Sequence, residues 1–488
     1  MADILNSLVG PKPPVRIQLW DGSGFGPQSA TQVVVRTPEA MRRVLFRPDE
    51  LGFARAYVAG EIDVEGDIFD ALELRHHLGS ARPTRAVLRG AAALLRQFGP
   101  LPPPPPADEA RLRGRRHSRQ RDADAIAHHY DLSNAFYRLV LGASMTYSCA
   151  LWGASGPGAE PDTAPSGPEA DAVLGAAASN TTPLDTTPLD AAQEAKHELV
   201  CRKLGLRPGM RMLDVGCGWG SLLLHAARHH GVEGVGVTVS REQADLARRR
   251  IADTGLADRL EIRLQDYRDV ADGPFDAISS VGMVEHVGAA MLPVYFRNLF
   301  NLLRPAGRLL NHGIAFPGDP AGQARNRPRL GPLPLPAGRD FVARYVFPDG
   351  ELHEAGAIVS VMQAAGFELR HVENLREHYA LTLRAWVRNL EERWEAAVAE
   401  AGEGRARVWL LYMAGSALMF EAGQAQIHQV LAVRRAGGRA GMPLRPLFDS
   451  QPYNSPLHDS QLYDSPLSDT PSQRPSLRSR PARPAPDG

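Results

Sequence analysis

Between residues 196 and 316 the hydrophobic positions follow two alternating patterns. Short apolar runs are typical of buried strands, and the segments between them carry apolar residues at helical spacing. The predicted strands are RMLDVG, VEGVGVTV, LEIRLQD, FDAISSVG and GRLLNHGI, and the predicted helices are SLLLHAARHHG, SREQADLARRRIADTG and LPVYFRNLFNLLRP. Regular alternation of strands and helices predicts an α/β fold with a mostly parallel sheet and helices on both faces.

A different pattern occupies residues 15–75. VRIQLW and QVVVRT predict two strands, and helical spacing follows around MRRVLF and IFDALEL. The segment RPDELGFARAYVAGEIDVEGD between these helices predicts a turn-rich connection. Residues 80–100 predict a further helix with arginines on one side, and the five consecutive prolines after it cannot form a helix. We therefore predict a small N-terminal α+β domain over 1–100 and a Pro/Arg-rich linker over 101–125.

Two segments lack the apolar residues that a folded core requires. Residues 153–190 are rich in Ala, Gly, Pro, Ser and Thr and nearly devoid of aromatic residues. We predict that they form a disordered insertion within a second domain, which spans 126–440. The C-terminal segment 446–488 contains a ten-residue repeat, DSQPYNSPLH followed by DSQLYDSPLS. Its composition predicts a disordered tail.

Charge and cysteine content exclude several classes of protein. Lys+Arg and Asp+Glu both total 55, so the chain has no bias toward nucleic acid. The six arginines of 111–121 form either a solvated linker or a contact with anionic lipid head groups. The only cysteines, Cys149, Cys201 and Cys217, are too scattered for a disulfide framework or a metal-binding spacing, so we expect no metal.

Two apolar segments bear on localisation. The run VWLLYMAGSALMF (408–420) is too short to span a bilayer and predicts a buried or interfacial helix. The N-terminal residues lack the basic and apolar regions of a signal peptide. Together with the few, scattered cysteines, these features predict a cytoplasmic protein.

The first strand of the alternating region leads into a glycine-rich turn, LDVGCGWG (213–220). Ligands of open parallel sheets bind at the carboxyl ends of the strands, and glycine lets the backbone approach them closely. Asp214 ends the strand and is placed to contact the cationic end of a ligand. The candidate cofactor contacts of the turn are Gly216, Cys217, Gly218 and Gly220. A nucleotide enzyme is the alternative, but the turn has neither the GxGxxG spacing nor a following GxxxxGK[ST] motif.

The next two strands end in polar residues. Thr238 and Ser240 follow the second strand, with Gln243 one turn later, and these neutral groups can bond ribose hydroxyls. Helix N-capping is the alternative role for the two hydroxyls, and both roles are compatible. Asp266 and Tyr267 follow the third strand and suit an adenine amine and ring face.

Two titratable residues follow the later strands. Glu285 lies in the apolar stretch GMVEHVG after the fourth strand, where a surface charge is unexpected. His312 lies in LLNHGIAF on the fifth strand. By itself, this histidine is as compatible with a hydrogen-bonded core residue as with a catalytic one.

Several motifs in order make the resemblance to one family specific. HHYDLSNAFYRLVLGASMTYSCALW, AAQEAKHELVCRKLGLRPGMRMLDVGCGWG, VTVSREQ, RLQDYRD, GMVEHVG and REHYALTLRAW resemble the cyclopropane-fatty-acyl-phospholipid synthases, which include the mycolic acid cyclopropane synthases. The resemblance covers most of 126–432, and a weaker similarity extends to FARAYVAGEIDVEGDIFDALEL in the N-terminal domain. It implies a Rossmann-like class I methyltransferase domain that uses S-adenosylmethionine.

The resemblance also implies roles for single residues. Tyr147 and Ser148 would join the residues of the glycine turn and strand ends in holding S-adenosylmethionine. The family binds bicarbonate as a general base, and its matching positions are Cys149, Glu285, His312, the backbone at Ile314, and Tyr379. Many members carry a cysteine where this chain has Ser416, which argues against covalent thiol catalysis.

The implied reaction is one-carbon transfer to the cis double bond of an unsaturated acyl chain of a membrane phospholipid. The protein would then associate peripherally with the inner face of the membrane, through its N-terminal domain, as a monomer or a homo-oligomer. Loss of a proton from the transferred methyl would close a cyclopropane ring, and a hydride shift first would give a methylene branch. A methyltransferase for a soluble small molecule and an inactive lipid-binding module are the more distant alternatives.

Overall fold

The computed structural model describes residues 13–47, 49–76, 103–110, 132–153, 187–318 and 339–448, with residues 92, 96 and 121 and the strand pairs 329–330 and 333–334. The helix predicted over 80–100, most of the linker, the insertion up to residue 186 and the tail beyond 448 therefore lie outside the described residues. Within them, the chain up to Leu444 forms one compact unit.

The N-terminal residues build a small mixed sheet with the strand order β2-β1-β3-β4, in which β1 and β3 run parallel. Its elements are β1 (Arg16–Leu19), β2 (Gly24–Phe25), β3 (Gln32–Val35), α1 (Pro38–Phe46), α2 (Glu50–Val58), β4 (Ile62–Glu65), α3 (Ile68–Leu72) and a 3-10 turn over Glu73–His76. Alternate residues of β1 and β3 point into a common core. This confirms the predicted α+β arrangement.

The predicted turn-rich connection between the first helices is wrong. It contains the helix α2 and the strand β4 instead. Asp49 caps α2 by accepting hydrogen bonds from the backbone of Leu51 and Gly52. Most of α2 is buried, so its sequence lacks the polar face from which an amphipathic helix is recognised.

The large sheet follows the order β13-β14-β9-β8-β5-β6-β7, with β12 paired to β9. Its strands are β5 (Arg211–Val215), β6 (Glu233–Thr238), β7 (Leu260–Leu264), β8 (Phe275–Val281), β9 (Leu303–Phe316), β12 (His353–Glu354), β13 (Glu368–Asn374) and β14 (Gln426–Val433), while β10 (Arg329–Leu330) and β11 (Leu333–Pro334) form a separate pair. Only β14 runs antiparallel to its neighbours on that path. All five predicted strands are confirmed, and the strand order reverses beside β5, where ligands of such sheets bind.

Helices cover both faces of this sheet, and their described bounds agree with the three predicted ones. They are α4 (Asn134–Leu141), α5 (Pro188–Leu204), α6 (Ser221–His230), α7 (Arg241–Asp253), α8 (Val284–Val287), α9 (Leu292–Leu302), α10 (Arg339–Tyr345), α11 (Ala355–Ala364), α12 (Arg376–Glu392), α13 (Trp394–Ala401) and α14 (Glu403–Glu421). Two apolar clusters lie against the sheet, and a third joins α4, α12 and α14 through aromatic side chains. The α/β fold with helices on both faces is therefore confirmed.

The predicted insertion extends too far toward the C-terminus. Helix α5 begins at Pro188, and Thr187 caps it by accepting a hydrogen bond from the backbone of Asp190. Proline is favourable in the first turn of a helix because its missing N–H would have no partner there. Composition alone assigned these residues to the insertion, whereas their Thr-Pro pair is a helix start.

Part of the predicted linker is bound to the folded chain. The Glu109 carboxylate accepts hydrogen bonds from Arg55 of α2 and Arg344 of α10. Farther along, Arg121 forms a bidentate pair with Asp349 at 2.5 and 2.9 Å. The Arg121 side chain is therefore paired with a carboxylate of the protein itself.

The apolar run 408–420 lies in α14, which is buried as predicted. This helix also joins the N-terminal sheet to the rest of the chain, because the buried Arg407 bonds Asp63 of β4. Over the described part of the chain, we find no helix both long enough and apolar enough to span a membrane.

Candidate active site

The first glycine of the turn after β5 packs too closely for a side chain. This residue, Gly216, has a φ of +75°, and a Cβ there would lie 2.4 Å from the sulfur of Met283. The amides of Gly216 and Cys217 both donate to the carbonyl of Val237 on β6, at 3.0 and 3.1 Å. The turn is thereby fixed against the neighbouring strand, with its backbone facing the cleft beyond the sheet.

Asp214 is buried at the end of β5, with 3% of its surface exposed. Its carboxylate accepts a hydrogen bond from Ser279 on β8 at 2.5 Å. Burial raises the pKa of this carboxyl to about 6, although Ser279 and the nearby Lys196 both favour its charged form. A carboxylate held in this way has a strong preference for a cationic partner.

These residues border a cavity of about 370 Å³. Ten of the twelve predicted cofactor residues line it: Tyr147, Ser148, Asp214, Gly216, Cys217, Gly218, Thr238, Gln243, Asp266 and Tyr267. The other two, Gly220 and Ser240, lie outside the lining and are the N-caps of α6 and α7. For Ser240 the capping alternative is confirmed, because its hydroxyl accepts from the backbone of Gln243.

The polar groups at the ends of β6 and β7 are already paired with neighbours. Thr238 donates its hydroxyl proton to the side chain of Gln243 at 2.8 Å. The Asp266 carboxylate accepts from the side chain and backbone of Arg268. These bonds fix the orientation of side chains that line the cavity.

The segment with Tyr147 and Ser148 is hydrogen-bonded to α5 and α6. The carbonyl of Ser148 accepts from Gln193 at 2.8 Å, and that of Ser144 accepts from Ser221 at 2.6 Å. The Ser148 hydroxyl accepts from Lys196 at 2.9 Å. Sequence reasoning missed Lys196, which lines the cavity and is 1% exposed, and burial lowers its pKa to about 8. Its only signal in the sequence is a charge among the apolar positions that α5 buries.

A second group of residues gathers behind this cavity, around the end of β9. Glu285 of α8 accepts a hydrogen bond from the backbone of Ile314 at 2.7 Å through Oε1. Its Oε2 is buried and has no hydrogen-bond partner among the described residues. Burial raises the pKa of Glu285 to about 7, so its protonated form is well populated at neutral pH.

His312 contributes a second buried atom without a partner in the described chain, its Nε2. Burial, with the positive charges of Lys196 and Lys203, lowers its pKa well below the usual range, so the ring is neutral. Its Nδ1 lies 3.2 Å from the side-chain amide nitrogen of Gln429. The other end of that amide accepts from the buried Lys203 at 2.7 Å. Sequence reasoning missed Lys203 and Gln429, because they lie far apart in the chain, on α5 and β14, and meet only in the folded protein.

Cys149 and Tyr379 meet at one carbonyl. The Cys149 thiol lies 3.2 Å from the carbonyl of Ala150 and 3.7 Å from that of Leu375, and the Leu375 carbonyl also accepts from the backbone of Tyr379. The backbone of Leu375 in turn donates to Ile427, whose partner across the sheet is Ile314. All four predicted catalytic residues therefore lie on elements that join at the end of β9. Burial raises the pKa of Cys149, so its sulfur is a thiol and not a nucleophilic thiolate.

Aromatic rings surround Tyr147 and Tyr379. The Tyr147 ring lies 5.2 Å from that of Trp386, and its hydroxyl donates to Tyr412 at 3.3 Å. Tyr379 packs against Phe420 with ring centroids 4.7 Å apart. Tyr412 lies on α14, and Ser416 lies one turn farther along the same helix.

Comparisons with known proteins identify the family. Residues 117–430 match the family described as mycolic acid cyclopropane synthetase. A "Probable fatty acid methyltransferase" of Mycobacterium tuberculosis is 42% identical over 91% of this chain and 97% of its own. A tuberculostearic acid methyltransferase of the same organism is 32% identical, over 86% and 88% of the two chains. The cyclopropane-fatty-acyl-phospholipid synthase of Escherichia coli is 29% identical, over 85% and 90%.

Solved structures agree. A crystal structure of a mycolic acid cyclopropane synthase complexed with SAH and CTAB superposes with a TM-score of 0.52 and 30% identity, over 64% of this chain and 97% of that one. The fold, the cavity beside β5 and the matched sequence together identify the chain as a member of the mycolic acid cyclopropane synthetase family, an S-adenosylmethionine-dependent methyltransferase of the cyclopropane-fatty-acyl-phospholipid synthase type.

Proposed function

We propose that this protein transfers the methyl carbon of S-adenosylmethionine to the cis double bond of an unsaturated acyl chain of a phospholipid and closes a cyclopropane ring. The family supports methyl transfer to fatty acyl chains as the general activity. The ring, the phospholipid and the base are the parts of the proposal that the experiments below test.

The observation that carries the proposal is the pair of buried polar atoms without partners, Glu285 Oε2 and His312 Nε2. A buried polar atom left unpaired costs about 1–3 kcal/mol. Two such atoms on neighbouring elements indicate a binding site for a small polar group. Bicarbonate can accept hydrogen bonds from two such groups, and it would supply the base that removes a proton from the alkylated chain.

The protonation states of the two residues suit an anion. Lys203 binds the oxygen of the Gln429 side chain, which leaves its NH₂ group to face Nδ1 of His312. Nδ1 therefore accepts a hydrogen bond, and the ring proton resides on Nε2. With a pKa near 7, Glu285 can hold a proton on Oε2. Both unpaired atoms are then donors, and neither adds a negative charge beside the anion.

The cavity next to β5 suits S-adenosylmethionine, whose sulfonium supplies the electrophilic methyl group. The buried Asp214 carboxylate would hold the amine of its methionyl part, and Thr238, Gln243, Asp266 and Tyr267 would surround the nucleoside. Gly216 and Gly218 would bring the backbone close to it. An isolated alkene is a poor nucleophile, so holding the two reactants in line contributes several kcal/mol.

A chain of aromatic rings that begins at the cavity suits the cationic intermediate on the acyl chain. A cation is stabilised by the faces of aromatic rings, and Tyr147, which lines the cavity, contacts Trp386, which in turn contacts Tyr379. Burial raises the pKa of Tyr147 well above its usual range, so its hydroxyl stays neutral. This surrounding excludes water that would otherwise trap the cation as an alcohol.

The small N-terminal sheet and the arginines of 111–121 would bring the enzyme to the membrane surface. Polybasic segments gain about 1 kcal/mol per basic residue near anionic lipid. Arg121 contributes nothing to this, because it pairs with Asp349. Binding to vesicles that contain anionic lipid should therefore weaken when 111, 113, 115, 116 and 119 are changed from arginine to glutamine, and the Arg121→Gln variant is the control.

The product decides between the ring and its alternative, a methylene branch that follows a hydride shift. We would incubate the protein with S-adenosylmethionine and vesicles of cis-monounsaturated phospholipid and examine the released fatty acids by NMR. Cyclopropyl protons support the proposal, and vinylidene protons establish the alternative. An unchanged lipid, with turnover of a soluble substrate instead, would contradict it.

The bicarbonate site is tested with decarbonated buffer. Turnover of the natural protein should fall in that buffer and recover when bicarbonate is added. The Glu285→Gln variant keeps the hydrogen bond from Ile314 but cannot exchange a proton, so we expect low turnover without recovery. Glu377→Gln, at an exposed carboxylate, is the control. Full activity of Glu285→Gln would contradict the assignment of Glu285 to the bicarbonate site.

A further inference from the structure

A cluster of metal-binding side chains lies between α5 and α6, apart from both groups of the candidate active site. On α5 it contains Glu198 and Cys201, and on α6 it contains His225 and His230. Donor atoms of Cys201, His225 and His230 all lie within 4.8 Å of one another. One oxygen of Glu198, Oε2, lies 3.1 Å from Nε2 of His225 and 2.9 Å from Nε2 of His230.

The hydrogen bonds of this cluster direct a carboxylate oxygen at both histidines. Imidazole binds metals in its neutral form, and a carboxylate beside two such rings supplies negative charge near a bound cation. Arg202 occupies Oε1 of Glu198 at 2.7 Å and leaves Oε2 directed at the two histidines.

We propose that this cluster is a binding site for a divalent transition metal, with Zn²⁺ as the best fit. Cys201, His225 and His230 would supply one sulfur and two nitrogen ligands, water would take the fourth position, and Glu198 would orient the two histidine rings through its hydrogen bonds. Zinc prefers four ligands at about 2.0–2.3 Å, so the three donors need to approach by about an ångström. The metal–sulfur bond forms as the Cys201 thiol loses its proton to solvent.

The surroundings allow an ion to enter and explain why the sequence spacing does not reveal the site. The Glu198 side chain is 28% exposed and that of His230 is 18% exposed, while Cys201 is fully buried at the inner end. No two of the proposed ligands form a CxxC or HxxxH motif, because Cys201 lies on one helix and the two histidines lie on another. The spacing within a single segment therefore gives no sign of a metal site, and the expectation of no metal followed from that spacing.

Metal titration of the full-length protein tests the proposal. After treatment with a chelator, the protein should take up one equivalent of Zn²⁺ in competition with a colorimetric indicator, and its melting temperature should rise. Cobalt(II) in place of zinc should give a thiolate-to-metal charge-transfer band. His230→Gln and Cys201→Ser should each weaken zinc binding by at least about 10–100-fold, the loss typical even for outer-shell partners.

His229→Gln is the matched control, because His229 is 45% exposed and belongs with Glu194 to a second, more exposed grouping around His225. It should leave the zinc affinity unchanged. Three results would overturn the proposal: no uptake of zinc, a cobalt complex without the thiolate band, or binding that is lost with His229→Gln and kept with His230→Gln. The cobalt band of the unmodified protein keeps the test valid if a variant fails to fold.

Discussion

The side-chain amide of Gln429 lies 3.2 Å from Nδ1 of His312, and the buried Lys203 determines which end of that amide faces the ring. Lys203 can only donate, so it binds the amide oxygen. The amide NH₂ group then meets His312, and the histidine proton is placed on Nε2, the buried atom without a partner among the described residues. A lysine outside the cavity thus sets the tautomer of a histidine at the site.

Replacing this lysine should lower the rate of turnover without affecting cofactor binding. In Lys203→Met the Gln429 amide is free to rotate, and His312 loses its fixed tautomer. We expect kcat to fall about 10-fold or more, while the affinity for S-adenosylhomocysteine stays unchanged, because Lys203 does not line the cavity. Steady-state kinetics and calorimetry measure the two quantities.

Glu373→Gln is the control for Lys203→Met, since it alters the other partner of Lys203 at the surface and leaves Gln429 bound. Its kcat should stay near that of the natural protein. Equal kcat values for Lys203→Met and the natural protein, with both folded by circular dichroism, would contradict the proposed role of the lysine.

Glu285 should make the folded protein less stable as the pH rises. Burial raises its pKa from 4.5 to about 7, so the native state holds this proton more tightly than the unfolded chain does. Below pH 4.5 the group is protonated in both states, so its ionisation does not lower the free energy of unfolding. Between pH 4.5 and 7 the unfolded chain loses this proton more readily than the native state does. The free energy of unfolding therefore falls progressively, by about 3 kcal/mol in all.

Denaturant unfolding of the natural protein and of Glu285→Gln at several pH values checks this prediction. The stability of the variant relative to the natural protein should increase across that window and stay constant above it. Glu377→Gln controls for the loss of a carboxylate at an exposed position. A relative stability independent of pH would mean that Glu285 is not buried as described.

Gly216→Ala should weaken cofactor binding strongly. The new Cβ would lie 2.4 Å from the sulfur of Met283, which itself lines the cavity, and the residue would keep a φ of +75°. We expect the Kd for S-adenosylhomocysteine to rise at least about 10-fold, equivalent to about 1.4 kcal/mol. Gly209→Ala has the same backbone strain at φ +80° but no neighbour within 4 Å, so it should leave Kd unchanged. Similar Kd values for the two variants would contradict the close approach.

Binding of S-adenosylhomocysteine should weaken as the pH falls through about 6. The Asp214 carboxylate must be charged to hold the ligand amine, and burial raises its pKa to about 6. Lys196 opposes that rise, so in Lys196→Met the loss of binding should begin at higher pH. Ser279→Ala removes the other group that favours the charge and should act in the same direction. Calorimetry at several pH values would detect both shifts, and a common profile for all three proteins would contradict this assignment.

Much of the large sheet was predictable because its signals are local. Each buried strand is a short apolar run, and Asp214 with the following glycines marks the end of one of them. Helix α2 was missed because it is buried on nearly all sides and shows no polar face. The start of α5 was missed because composition outweighed the capping signal of Thr187 and Pro188.

The sequence by itself determined the fold class, the family and the chemistry of the cavity, since side chains at successive strand ends must converge in a parallel sheet. Tertiary structure decided the protonation state of Glu285, because it follows from burial. It also decided the tautomer of His312, because Lys203 and Gln429, which set it, lie far apart in the chain. It also brought Cys201 beside His225 and His230. Packing sets the local dielectric and brings distant donors together, and these determine which proton each group holds.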